Sequence, residues 1–208
     1  MKAEGFTAHF LGIGDELLNG RVIDQNGPWL GGYLGERGHQ LASLEILPDD
    51  RRRIVHHLQK LWEGQGPKLI IVSGGLGPTP DDLTKNAIAE AFDDKIVARE
   101  DVQEVVEGHY ARKGLNWTPQ TNSYHLFPSN FTPIENPTGL APGLLKREGQ
   151  KVFLALPGVP HEYKPMIETL LNSPDVLQTL GLENLHKESE RTFCARTRFR
   201  PEEKLFGE

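Results

Sequence analysis

The spacing of apolar positions changes along the chain, and the changes divide it into strands and helices. Thr7–Ile13 (TAHFLGI) is the first apolar run and reads as a buried strand closed by Gly14. Residues 15–24 are polar, contain glycine and read as a loop. From 25 to 35, Trp29, Leu30, Tyr33 and Leu34 fall at helical spacing, with Pro28 tolerable in the first turn. Gly38 ends that helix, and residues 39–47 read as a second strand. Pro48, Asp49 and Asp50 form a turn whose aspartates can cap the next helix. That helix, 51–63, is amphipathic through Ile54, Val55, Leu58, Leu61 and Trp62. Lys68–Ser73 is the strongest strand, and its unbroken apolar centre predicts burial on both faces, as in a parallel sheet.

Downstream, helices are predicted over 83–92 and 101–112, the second with Val102, Val105, Val106 and Tyr110 on one face. Residues 116–143 are irregular and carry five prolines; a stretch that long in a compact domain is functional or contains short strands. A short strand is expected at 130–134. Residues 144–146 and 151–156 read as two strands joined by a turn at Glu148 and Gly149, followed by helices at 161–171 and 175–180. Strands and helices alternate through residue 171, which predicts an α/β fold with a largely parallel sheet. Residues 182–190 read as a linker, 191–200 as a strand and 201–206 as the start of a helix. This incomplete C-terminal extension is expected to begin a small appended domain or to form an arm packed on a partner.

Composition narrows the function classes. A length of 208 residues suits one domain of ordinary size. The net charge of −6 argues against a general nucleic-acid binder. Mean hydropathy is −0.46, and no apolar run approaches the roughly 20 residues of a bilayer span. The first residues carry no apolar secretory segment, so a cytoplasmic protein without membrane contact is expected. One cysteine, Cys194, excludes an intramolecular disulfide and a multi-cysteine zinc site, and it reads as structural or incidental. None of the eight histidines has zinc-ligand spacing; His56 and His57 read as surface residues, and Arg51 to Arg53 as a solvated helix start.

The candidate chemistry lies where strands end. Ser73-Gly74-Gly75-Leu76-Gly77-Pro78-Thr79-Pro80-Asp81-Asp82-Leu83-Thr84 runs from a buried strand into a helix. Its glycines let backbone amides approach a ligand, the helix N-terminus favours anions, and Thr79 and Thr84 add hydroxyls. It is neither a Walker A loop nor G-x-G-x-x-G. Asp81 and Asp82 beside a phosphate nest suggest a divalent cation bridging carboxylate and phosphate; the structural alternative is a tight turn with a helix cap from either aspartate. Gly14-Asp15-Glu16 ends the first strand at the same sheet edge, with Asp24, Gln25 and Asn26 at the next helix start. Asn136 to Gly143 (NPTGLAPG) and Leu156 to Glu162 (LPGVPHE) complete four polar or glycine-rich segments that together describe a pocket rim.

GDELLNGRVIDQN, SGGLGPTPDDLT, NPTGLAPG and LPGVPHEYKPM occur in this order over residues 7–172. They resemble the N-terminal domain of the CinA (competence/damage-inducible) family, within the molybdopterin-binding superfamily that includes MoaB and MogA. The resemblance implies a three-layer α/β/α fold with a mostly parallel sheet over 5–172, followed by 173–208 as linker and start of an appended unit. It implies metal-dependent hydrolysis of ADP-ribose or a related nucleoside diphosphate sugar, giving AMP and ribose 5-phosphate. The alternatives are a protein that binds or adenylylates molybdopterin, and a catalytically silent binding module. The implied ions are a divalent metal (Mg, Mn, Co or Ni) and K⁺; the implied assembly is a homodimer.

Asp82, Asp81, Asp15 and Glu16 can supply metal ligands or a base; beside the resemblance, this makes Asp82, Asp81 and Glu16 the catalytic candidates, and Asp82, Asp15 and Asp81 the metal candidates. Gly74, Gly75, Gly77, Thr79, Thr84, Asn26, Asn136, Gly139, Pro157, Gly158 and Glu162 become substrate-binding. Two departures stand out. Asp15 replaces a threonine of the family pattern, restoring an acid that pterin-adenylylating relatives carry nearby. Around 122–126 the chain reads NSYHL where the family more often has a Gln-Ala or Met-Ala pair. Full CinA proteins continue into a deamidase domain that residues after 172 do not provide, so deamidase activity is expected to be absent.

Overall fold

The computed structural model describes residues 6–66, 68–79 and 82–182. Six strands form one sheet in the order β2-β1-β3-β8-β7-β6. These are β1 (Thr7–Ile13), β2 (Leu41–Leu47), β3 (Lys68–Ser73), β6 (Thr132–Ile134), β7 (Gly143–Glu148) and β8 (Lys151–Leu156). β2, β1, β3 and β8 run parallel, while β7 and β6 close one side antiparallel. Glu148 pairs with Lys151 across a two-residue turn, where Gly149 takes a φ of 58° that a glycine adopts without strain.

Alternation along the central strands separates two cores. On one face Leu11, Ile13, Ile70, Val72, Phe153 and Ala155 pack with α3 (Arg51–Trp62), α4 (Thr84–Ala91) and α5 (Glu100–Arg112). On the other, Ala8, Phe10, Leu69, Ile71, Val152 and Leu154 pack with α2 (Asn26–Gly35), α6 (Pro160–Leu171) and α7 (Pro174–Thr179). The expected three-layer α/β/α arrangement is therefore present, and β3 is buried on both faces.

Three details differ from the periodicity reading. The expected loop 15–24 opens with a single helical turn, α1 (Asp15–Leu18), too short to show a period. A two-stranded ribbon of β4 (Ile96–Ala98) and β5 (Leu126–Pro128) went unread, because three residues do not display alternation. Packing also continues past the expected boundary at 172: Val176, Leu177 and Leu180 are buried in the same core. The expected linker at 182–190, the strand at 191–200, the helix at 201–206 and Cys194 fall, from residue 183 on, outside the described residues.

Parallel pairing sets the position of the site. Gly12 pairs with Ser73, and Ser73 with Leu156, so the exits of β1, β3 and β8 lie side by side at the carboxyl edge of the sheet. That edge is where open α/β sheets hold ligands.

Candidate functional site

A cavity of about 640 Å³ opens at this edge, within the range of small-molecule sites. One wall is the glycine loop. Gly74 and Gly75 have φ of 108° and 65°, and a Cβ on either would collide, with the carbonyl oxygen of Ile13 at 2.3 Å or with Thr84 Oγ1 at 2.0 Å. Only side-chain-free backbone fits between β1 and α4 here. The Gly74 N–H donates to Leu156 O (3.0 Å) and the Gly77 N–H to Asp82 Oδ1 (2.8 Å). The N–H groups of Gly75 and Leu76, both in the cavity wall, donate to no acceptor among the described residues. Successive unpaired amides in such a turn form a nest for an anion.

Asp82 holds this loop closed. Its Oδ1 accepts from Gly77, and its Oδ2 accepts from the Thr79 N–H (2.9 Å) and from the Thr79 hydroxyl. The expected cap on α4 is not formed by Asp82: Leu83 occupies that position and makes no side-chain cap. The carboxylate instead organises the turn before the helix, while still lining the cavity. Asp81 lies outside the described residues.

Two expected ligand hydroxyls do not lie on the cavity wall. Thr79 is turned to Asp82, and Thr84 is completely buried beneath Gly75 with its Oγ1 unpartnered among the described residues. Asp15 is also elsewhere. Its N–H donates to Asp49 Oδ2 (3.0 Å) and its Oδ1 accepts from the Asp49 N–H (3.4 Å), clipping α1 to the turn before α3. Burial raises the Asp49 carboxyl above its ordinary value; the charges of Asp15, Glu16 and Asp82 push the same way, against the Asp15 amide. Glu16 does line the cavity.

Asn26 ties three loops together. It is 2% exposed, and its Nδ2 donates to Ser73 Oγ (2.9 Å) and to Gly158 O (2.8 Å). The carbonyl of Gly158 fixes which end of the amide is nitrogen, since a flipped amide would set oxygen against oxygen. Its Oδ1 is buried without a partner among the described residues. Asp24 accepts from the N–H groups of Asn26 (3.0 Å) and Gly27 (3.1 Å), which places α2 at the rim.

Pro157, Gly158, Gly139 and Glu162 line the opposite side. Asn136 does not; it is fully buried behind them, accepting from the Gly139 N–H (2.7 Å) and donating to Glu162 Oε2 (2.6 Å). His109 supports this turn from below. Its Nδ1 bonds to Leu140 O (3.1 Å) while Nε2 accepts from the Asn136 N–H (3.4 Å), as a neutral ring can do. Burial lowers the His109 pKa, in keeping with that form.

Periodicity missed two wall residues, Lys113 and Tyr124. Lys113 follows α5 and donates to Thr138 O (2.9 Å), bringing a cation to the wall. Tyr124 sits in the 122–126 segment whose sequence departs from the family pattern. Lys85 fastens this segment, donating to Ser123 O (3.0 Å) and Leu126 O (2.9 Å). Burial lowers the Lys85 pKa to about 8, with Asp82 opposing the shift. Ile13, Leu17, Val22, Ile23 and Val159 make part of the lining apolar, and Ile23 is 82% exposed at the mouth. Among the described residues, no three carboxylate, imidazole or thiolate groups converge to hold a metal ion. Of the expected ligand set, Asp15 is absent from the cavity wall, while Asp82 lines it with its oxygens accepting from Gly77 and Thr79.

Residues 9–178 match the family described as the probable molybdopterin binding domain. A competence-damage inducible protein, so named, of Halothermothrix orenii is 37% identical over 161 residues, 77% of this chain and 38% of its own length. A protein of Pyrobaculum aerophilum is 35% identical over 162 residues, 78% of this chain and 60% of its own. This chain thus spans less than two thirds of these curated relatives. The CinA protein of Thermoplasma acidophilum superposes with a TM-score of 0.70 at 32% identity, covering 79% of this chain and 96% of that one. MoaB of Thermus thermophilus shares the fold, with a TM-score of 0.57 at 20% identity over 87% of this chain and 99% of that one. No helix among the described residues is long and apolar enough to cross a membrane.

Proposed function

Because the chain belongs to the probable molybdopterin binding domain family, as a CinA-type member, we propose that it binds a phosphorylated pterin or nucleotide at the carboxyl edge of its sheet. One observation carries the reading: on the wall of a cavity that also carries an apolar rim, the glycine loop presents the amides of Gly75 and Leu76, which have no acceptor among the described residues. The amides suit a phosphate, and Leu17, Val22, Ile23 and Val159 suit the face of a planar ring. Lys113 adds a positive charge among the acidic groups. Calorimetric titration with AMP and with a phosphorylated pterin tests the reading. At least one should bind about tenfold or more tighter than its dephosphorylated counterpart. Equal affinity with and without the phosphate would overturn it.

A second reading, hydrolysis of a nucleoside diphosphate such as ADP-ribose, draws on Glu16. Its carboxylate lies on the wall and makes no side-chain hydrogen bond among the described residues, leaving it able to orient a water. The activity would need a divalent ion, Mg, Mn, Co or Ni, with K⁺ as a further candidate, and the described residues supply no ready set of ligands for one. AMP release from ADP-ribose, measured with each metal and lost in Glu16→Gln, would establish it. Binding without release under every metal condition would leave the domain a binding module.

A further inference from the structure

Among the described residues, four carboxylates line the cavity: Glu16, Asp24, Asp82 and Glu162. Asp24 and Asp82 each direct both oxygens to backbone N–H groups, so they are parts of the scaffold. Glu162 is held differently. It lies in the first turn of α6, and Asn136 Nδ2 donates to its Oε2 at 2.6 Å. Asn136 is itself locked, since its Nδ2 also donates to Ala141 O (3.0 Å) and its Oδ1 accepts from Thr138 N (3.2 Å) and Gly139 N (2.7 Å). Gly139 completes the clamp: a Cβ there would fall 2.0 Å from Glu162 Oε2, so the carboxylate occupies the space a side chain would take. Two motifs that are separate in sequence, N-x-x-G and L-P-G-x-P-x-E, thus build one oriented carboxylate.

This carboxylate lines a cavity in which it has no ion-pair partner among the described residues. No lysine, arginine or histidine among the described residues lies within ion-pair distance of Glu162, and Lys113 is engaged with Thr138 O. A carboxylate is an acceptor with about four lone-pair positions, of which Asn136 fills one. Its remaining capacity can be met only by donors, from water or from a ligand. The glycine loop is close: a Cβ on Gly158 would lie 3.3 Å from Gly74 Cα, and Gly75, Leu76, Gly158 and Glu162, in the first turn of α6, all line the one cavity. A ligand whose phosphate sits on Gly75 and Leu76 would reach Glu162 with another part of itself.

We propose that Glu162 is the specificity residue of this cavity, reading a pair of adjacent hydrogen-bond donors on the phosphorylated ligand. The inference rests on the proposed ligand class and adds what the rest of the ligand must carry. Two groups have this chemistry: the cis-diol of a ribose, and the amino and ring N–H edge of a pterin. A site built to accept from such donors discriminates strongly against an analogue that lacks them, because its acceptor is left unpaired.

Calorimetry on the wild-type chain compares AMP with 2′-deoxy-AMP, and a phosphorylated pterin with the lumazine that lacks its amino group. In one of the two pairs, loss of a donor should weaken binding by about tenfold or more, and that pair identifies the source of the donors. In Glu162→Gln the discrimination should collapse, while inorganic pyrophosphate binds as to the wild type. Wild-type protein that binds both members of each pair alike would overturn the proposal. So would a folded Glu162→Gln that discriminates like the wild type. Failure of every phosphorylated probe, pyrophosphate included, would instead refute the phosphate-binding reading itself, and this inference would fall with it.

Discussion

Replacing Asp82 by asparagine tests whether one carboxylate shapes the glycine loop. The carboxylate accepts from two backbone N–H groups, those of Gly77 and Thr79, and from the Thr79 hydroxyl. An amide keeps one acceptor oxygen and turns the other position into a donor, which faces an N–H or a hydroxyl. Hydrogen bonds to a charged group contribute about 1.5–3 kcal/mol each when sheltered. Thr79 is exposed, which reduces its share. A loss of about 2 kcal/mol follows for Asp82→Asn, or roughly 4–8 °C in Tm for a domain of this size. Thr79→Val removes one of the same contacts and should cost about 1 kcal/mol. Because the two side chains touch, the double variant should lose about 1 kcal/mol less than the sum. Denaturant unfolding of the four proteins gives the cycle, and amide hydrogen exchange should show lost protection at Gly77 and Thr79. Unchanged protection at those amides, or strictly additive losses, would refute the assignment of Asp82 as the clasp of the loop.

Gly75→Ala places a side chain at positive φ and 2.0 Å from Thr84 Oγ1, so it should destabilise by about 2–4 kcal/mol in thermal unfolding; a loss under about 0.5 kcal/mol would show that the loop can shift away. Asn26→Asp removes the donor shared by Ser73 and Gly158 and buries a charge, and should cost about 3 kcal/mol or more, read as an early unfolding midpoint. Lys85 sets a pH dependence. Its folded pKa of about 8 lies below the ordinary 10.5, so the unfolded chain binds more protons between those values and stability rises with pH across them. The burden of the buried charge is present in full below about pH 8. Relative to Lys85→Met, the wild type should gain up to about 3 kcal/mol between pH 8 and 10.5, and parallel stability profiles would contradict this.

Legibility in the sequence followed the physics of each element. β1, β3 and β8 were read to the residue because strands buried on both faces leave unbroken apolar runs. β4 and β5 were not, since three residues carry no period. In the site, the glycine loop was visible because glycine is demanded where backbone approaches Ile13 and Thr84. What composition could not convey is the direction of side chains whose partners are remote in sequence. Asn26 reaches Gly158, 132 positions away, and Asn136 turns inward to orient Glu162. Asp15 and Glu16 are neighbours in sequence, yet one bonds to the Asp49 turn and the other lines the cavity. Lys113 and Tyr124 are wall residues through remote contacts, Lys113 bonding to Thr138 and the Tyr124 segment being fastened by Lys85, a tertiary fact with no local signal.

The phosphate seat is tested most directly by following backbone amide resonances while AMP, or the phosphorylated pterin if it binds more tightly, is titrated in. The N–H groups of Gly75 and Leu76 should show the largest downfield shifts, saturating with the calorimetric Kd, and pyrophosphate should reproduce them. Saturable binding that leaves these two amides unmoved would place the phosphate elsewhere and contradict the account.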